Sequence, residues 1–285
     1  MQKLIYVPPN SNESVTLTAA EPFILSSVSG LGGVESDVIS SEVVGMDGVF
    51  YHGCKKTPRP IPCTVYVKGK SREDMYRQRL KIIGLLRAEN DVGTLYYSND
   101  YISVKIGAVP IVPPDFAERI KNYNKADLKF WCPQPLWKSL ETKNASIAKI
   151  DGIGFEVPFR FPITFAHIRN EIVINNLGTA RTPVTITITG VGENPSVTNT
   201  ANGKTIALLD KTLSDGEQLI INTERGYKSV KLKNGSTVSD GFQYIDPLSE
   251  FWELETGENR IVYSSEDNAE ATSIVISYNE RFEGV

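Results

Sequence analysis

From Ala126 to Cys132, apolar side chains take every second position: Ala126, Leu128, Phe130 and Cys132, with Asp127 and Lys129 among the residues between. That is the alternation of a strand with one face in a core. Pro133 and Pro135 then each remove a backbone donor and hold the preceding residue extended, so no sheet interior continues through them. Before this point the chain carries a long amphipathic helix pattern; after it come almost purely short strands and turns. The stretch reads as a seam between two domains, 1–132 and 133–285. At 285 residues a chain is near the size at which one core stops growing, and two ordinary domains need no disulfides to be stable.

In the first half, strands are expected at Lys3–Val7, Ser14–Thr18, Phe23–Val28 and Asp37–Val44, with a flexible break at 30–33. Ile61–Val67 follows, with Ile61, Cys63, Val65 and Val67 on one core-facing side. A helix is expected over Ser71–Glu89. Ser71 is a good N-cap, Asp74 completes a variant of the capping box, and Glu73 and Asp74 suit the positive end of the dipole. Met75, Tyr76, Leu80, Ile82, Ile83 and Leu86 fall within an arc of roughly 160° at 3.6 residues per turn, wide enough to lie on a sheet. A hairpin about Asn99-Asp100 follows, then Pro110, Pro113 and Pro114, expected to break the chain before the seam strand. This half is therefore α+β with antiparallel pairing.

Val-, Ile- and Thr-rich runs with turn residues every 8–12 positions mark the second half as a β-sandwich that requires no helix. Its strands are placed at Arg160–Arg169, Glu171–Asn176, Thr182–Val191, Lys204–Leu209, Gln218–Thr223, Tyr227–Leu232, Ile261–Ser264 and Thr272–Tyr278.

Charge is uneven. Residues 1–135 carry 16 Lys and Arg against 14 acids, and residues 136–285 carry 14 against 20, so the chain as a whole is no basic nucleic-acid binder. Lys55–Arg87 nevertheless holds ten bases and two acids. Within it, Arg72, Arg77, Arg79, Lys81 and Arg87 are candidates for a basic surface that meets an acidic neighbouring subunit or nucleic acid passing nearby, against the plainer reading of a solvated face with Arg79 snorkelling from the core edge.

Chemistry has little to stand on. His52, Cys54 and Cys63 match no zinc spacing, and no metal or other cofactor is expected. Gly69-Lys70-Ser71 imitates the end of a phosphate loop, but Thr64, inside a regular strand, stands where the loop's first glycine belongs. No nucleophile elbow occurs, and His167 is the only histidine of the second half, so an enzyme is not expected. Three cysteines, a short N-terminal apolar run and no apolar stretch of 18 residues point to reduced thiols, no helical membrane span and synthesis in a cytoplasm.

Four phrases, taken in order, resemble the distal tail proteins of phages with long non-contractile tails. They are Phe130-Trp131-Cys132-Pro133-Gln134-Pro135-Leu136-Trp137, Thr187 to Asn199, Gln218-Leu219-Ile220-Ile221-Asn222-Thr223, and the stretch from Phe251 to Ile261 with Gly257 and Asn259. Asn222 stands where aspartate is common, and Thr256 where proline is. The resemblance implies an N-terminal ring-forming domain and a galectin-like C-terminal β-sandwich. It further implies a hexameric scaffold at the virion tail tip, joining the tail tube to the tail-tip and receptor-binding proteins, with DNA only as cargo through the lumen. The alternative is a carbohydrate-binding module or adhesin using the C-terminal domain, whose glycan binding would vanish when Trp252 or Trp137 is replaced.

Overall fold

The computed structural model describes residues 2–147, 171–266 and 273–285. It is mainly β, with a single α-helix among the described residues. Two compact units are present, Met1–Leu140 together with Arg281–Val285, and Glu141–Glu280.

The first unit contains β1 (Lys3–Val7), β2 (Val15–Leu17), β3 (Phe23–Val28), β4 (Ser36–Ser41), β5 (Phe50–Lys56), β6 (Arg59–Lys68), α1 (Arg72–Leu85), β7 (Gly93–Ser98), β8 (Ser103–Ile120), β9 (Tyr123–Cys132) and β10 (Trp137–Ser139). Its main sheet runs β2-β1-β7-β8-β9-β6-β3. A bridge between Thr18 and Ile24 links the two ends of that path, so the sheet curls round its own core. The alternations read from sequence are the core: Ile61, Cys63, Val65 and Val67 of β6 face inward with Ala126, Leu128, Phe130 and Cys132 of β9.

The proline break expected after Val109 does not occur. β8 continues to Ile120, with register shifts against β9 after Pro110, Val112 and Phe116. Pairing with β7 ends at Ala108, so Pro110, Pro113 and Pro114 lie where β8 has a ladder partner on one side. Bulges and a single partner let residues without an N–H stay in a strand.

The second unit holds β11 (Lys143–Ile147), β12 (Glu171–Asn176), β13 (Thr182–Thr189), β14 (Gly192–Glu193), β15 (Ser196–Asn199), β16 (Lys204–Ala207), β17 (Thr212–Leu213), β18 (Glu217–Asn222), β19 (Ser229–Asn234), β20 (Thr237–Asp240), β21 (Glu253–Leu254), β22 (Gly257–Ser264) and β23 (Ser273–Tyr278). Antiparallel sheets β11-β23-β13-β18-β19-β20 and β12-β22-β15-β16 share one core. Ile186, Ile221 and Ile276 enter it from the larger sheet, Val197, Ile261 and Tyr263 from the smaller. Its only described helical turn is a 3-10 turn at Phe242–Tyr244. The strand expected at Arg160–Arg169, with His167, lies outside the described residues. After this unit the chain forms β24 (Arg281–Phe282), which pairs with β10 of the first unit, Trp137 opposite Phe282.

Candidate functional site

Helix α1 begins as its sequence dictates. Ser71 Oγ accepts the N–H of Asp74 at 3.1 Å, and Asp74 Oδ2 accepts the N–H of Lys70 at 2.9 Å. That second bond is the main reason the Asp74 carboxyl sits below the usual carboxylate range. Gly69 is needed for close approach, since a Cβ there would meet the Met75 nitrogen at 2.2 Å. The glycine of the phosphate-loop imitation thus serves the entry of the helix.

The expected apolar arc is only half covered. Met75, Ile82 and Leu86 are fully buried, whereas Tyr76, Leu80 and Ile83 remain exposed, Leu80 at 72%. Spaced four and three apart, these three form a stripe on one helix face. On a helical wheel Arg72 and Arg87 fall within or beside it.

The five candidate bases do not share one role. Arg79 lies 4.1 Å from the ring centre of Phe116 and 5.5 Å from that of Tyr76, which makes it a clamp between helix and β8. Arg72 and Lys81 are exposed on α1. Arg77 approaches Glu73 at 4.0 Å, and Arg87 pairs with Glu89 at 2.8 Å. Exposed pairs of this kind contribute little to stability.

A second surface is absent from the sequence expectations. β4 and β5 form a two-stranded sheet of their own, Val38 opposite Cys54 and Ser41 opposite Phe50, with one irregularity near Ile39. Ser41 Oγ and His52 Nε2 lie 2.7 Å apart across it. Most of its large apolar side chains are exposed, among them Val38 (63%), Val44 (103%), Met46, Phe50 and Tyr51. Residues 4–54 also contain six acids and no Lys or Arg, and four of those acids, Glu35, Asp37, Glu42 and Asp47, lie on or beside this hairpin. A pair of β-rich runs around Gly45 and Gly48 is the signal that marks it.

Elsewhere the conspicuous residues are structural. Buried Arg59 donates from Nε to the Pro135 carbonyl at 2.8 Å, and its guanidinium also donates to the carbonyls of Gly30, Gly32 and Glu283. One side chain therefore holds the seam, an early loop and the chain end. Trp137 and Trp252 are both fully buried, and Trp252 Nε1 donates to the Val197 carbonyl at 3.1 Å. Neither presents a ring on which a sugar could stack, which leaves the carbohydrate-binding alternative without these two residues. In the second unit a groove of about 520 Å³ is lined by paired charges, Arg181 with Glu255 at 2.7 Å and Arg225 with Glu253 at 3.2 Å. Cys54 is exposed, Cys63 and Cys132 are buried, and the described residues contain no group of three or more His, Cys, Asp or Glu placed to hold a metal.

Two of the four sequence phrases also have structural explanations. Thr223 Oγ1 accepts the Val184 N–H at 2.9 Å and donates to its carbonyl at 3.2 Å, while Asn222 Oδ1 accepts the Glu224 N–H at 2.9 Å. Asn259, wholly buried, accepts from Glu255 N–H at 2.8 Å and donates to the carbonyls of Glu255 and Gly257. Gly257 has a φ of +85°, which favours glycine there.

Two family models match along the chain: the phage tail protein RIFT-related domain over residues 11–132, and the siphovirus-type tail component, C-terminal domain, over residues 177–282. This chain belongs to the distal tail protein family of siphophages. The family's fold extends across both units. The crystal structure of the Dit protein of phage SPP1, described as a paradigm of hub adsorption apparatus in phages infecting Gram-positive bacteria, is similar at a TM-score of 0.71 and 13% identity, over 99% of each chain. A chain of the phage P2 baseplate, in its activated conformation with Ca, is similar at a TM-score of 0.52 and 14% identity, over 100% of this chain and 99% of that one. Among curated proteins, none matches the chain by sequence.

Proposed function

We propose that the protein is the hub of a siphophage tail tip. Six copies close into a ring that joins the tail tube to the tail-tip and receptor-binding proteins and leaves a lumen through which DNA passes. On this reading it is made and assembled in the host cytoplasm and acts in the virion tail without catalysing a reaction.

One observation carries the ring: from Val38 to Tyr51 the first unit leaves a concentrated run of large apolar side chains in water. Continuous apolar patches on soluble domains mark surfaces that are covered in the working assembly. A closed ring supplies that cover through two different faces per subunit. The exposed bases Arg72, Arg77, Lys81 and Arg87 belong to such a face or to the lumen wall, and Arg79 holds their helix in place. Size-exclusion chromatography with light scattering tests the reading. A particle of six times the 31.5 kDa chain mass supports it; a monomer at high concentration overturns it.

A further inference from the structure

We infer that hairpin β4–β5 of one copy docks on the exposed face of helix α1 of the next copy, its acids meeting the helix's bases around a shared apolar contact. The inference rests on the ring reading above and names the two faces that meet.

Each surface lacks what the other supplies. The hairpin is apolar, with Val38, Val44 and Phe50 exposed, and acidic towards its tip: Asp37 has Lys55 opposite it across the strands, whereas Glu42 and Asp47 have no Lys or Arg near them in the hairpin. The helix face is apolar and basic, with Tyr76, Leu80 and Ile83 exposed between Arg72 and Arg87 on the same side, while Arg77 and Lys81 lie on the adjoining outer side. Opposite charge around an apolar centre fixes register and excludes wrong pairings.

The two surfaces do not cover each other within one chain, since both are exposed there. They also leave the barrel at different places. The hairpin joins the Arg59 end of β6 and the helix follows its Lys68 end. The ten residues of β6, nine steps along a strand, separate those ends by about 30 Å. A subunit with complementary faces at separate positions makes the head-to-tail contact that closes a ring. Stability points the same way, because a lone two-stranded hairpin is marginal in water, and docking gives it a surface to rest on.

The test exchanges charge. One variant carries Glu42→Lys and Asp47→Lys; a second carries Arg72→Glu and Arg87→Glu; a third carries all four. Light scattering across a dilution series measures assembly, and thermal melting checks the fold. Each of the first two is expected to raise the half-assembly concentration about tenfold or more, from like charges brought together at a contact. The third is expected to return to within about threefold of the natural chain, because every interface again has opposite signs.

If the natural chain is itself monomeric, the ring reading fails and takes the pairing with it. If it assembles while either reversed variant assembles equally well, the ring stands and the pairing is wrong. Disruption by both without rescue in the combined variant also overturns the pairing, since the surfaces then meet something other than each other. Should a reversed chain fail to fold, Val44→Ser and Leu80→Ser replace it, both at strongly exposed positions. Each must weaken assembly for the pairing to survive.

Discussion

The two units treat their apolar residues differently. In the second, Val173, Leu177, Val191, Leu209 and Leu248 are exposed at positions scattered through the sequence, as on many soluble surfaces. In the first, single residues such as Tyr101 and Trp131 are exposed too, but the densest group lies in one hairpin and a further stripe on one helix face. Most described strands of the second unit obey their local rules: they bury every other residue, β20 excepted, turns carry their glycines, and the buried polar groups of Thr223 and Asn259 are bonded. The first breaks those rules in two places, and such departures are expected where a surface is reserved for contact. On the ring reading, the two units should therefore respond differently to substitution.

The largest effect is expected in the sandwich. Trp252→Ala removes the second unit's wholly buried indole and its bond to Val197, and should cost about 3–5 kcal/mol in denaturant unfolding. Loss of that size without a change in ring mass would separate the sandwich's stability from assembly. Next comes Arg59→Met. It leaves the carbonyls of Gly30, Gly32, Pro135 and Glu283 without their donor, and should destabilise the first unit by about 3 kcal/mol. Arg59→Lys should recover only part of this, because an ammonium cannot reproduce the planar fork.

Much of this was legible in the residues. The alternations of β6 and β9 show which side chains face inward, and Ser71 with Asp74 shows where the helix starts, because periodicity and capping are local. What remained hidden depends on distant neighbours. Leu80 and Leu86 have the same chemistry and belong to one apolar arc, yet only the sheet decides that Leu86 is covered and Leu80 is not. β5 was missed because a hairpin exposed on both faces has no core to impose alternation, and His52, Gly53, Lys55 and Lys56 give it none. β8 runs through three prolines because its partner on one side has ended. The pairing of Arg281 and Phe282 with β10 is a two-residue strand, too short to carry a pattern. Tryptophan composition, likewise, does not distinguish a core ring from a stacking platform.

The thiols give a smaller test, confined to the barrel unit. Burial pushes Cys63 and Cys132 up to about 12, while Cys54 is exposed on the hairpin. Thiol reagents at pH 8 should modify Cys54 alone in the folded chain, and all three cysteines once it unfolds. The linkage has a definite sign. Each buried thiol is harder to ionise folded than unfolded, so stability holds below the unfolded thiol range near pH 8.5 and falls as pH rises toward 12. The slope should reach about 1.4 kcal/mol per pH unit for each thiol, and Cys63→Ala should reduce it. A flat profile between pH 9 and 11 would mean that these thiols are not desolvated as placed.

The smallest expected effects lie on helix α1, where the contrast between fold and contact narrows to single turns. Ser71→Ala removes the acceptor for the Asp74 N–H and should cost about 1 kcal/mol, leaving the Lys70 bond to Asp74 in place. Leu80→Ala, although it deletes more apolar surface, should change unfolding by no more than about 0.5 kcal/mol, since that side chain is largely in water. Its effect should appear in ring mass on dilution. Ser71→Ala should leave ring mass unchanged so long as the helix is formed. If Leu80→Ala lowers stability as a buried leucine would while assembly is untouched, the exposed stripe belongs to the fold of the single chain, and the division between a complete unit and an incomplete one fails at its most direct point.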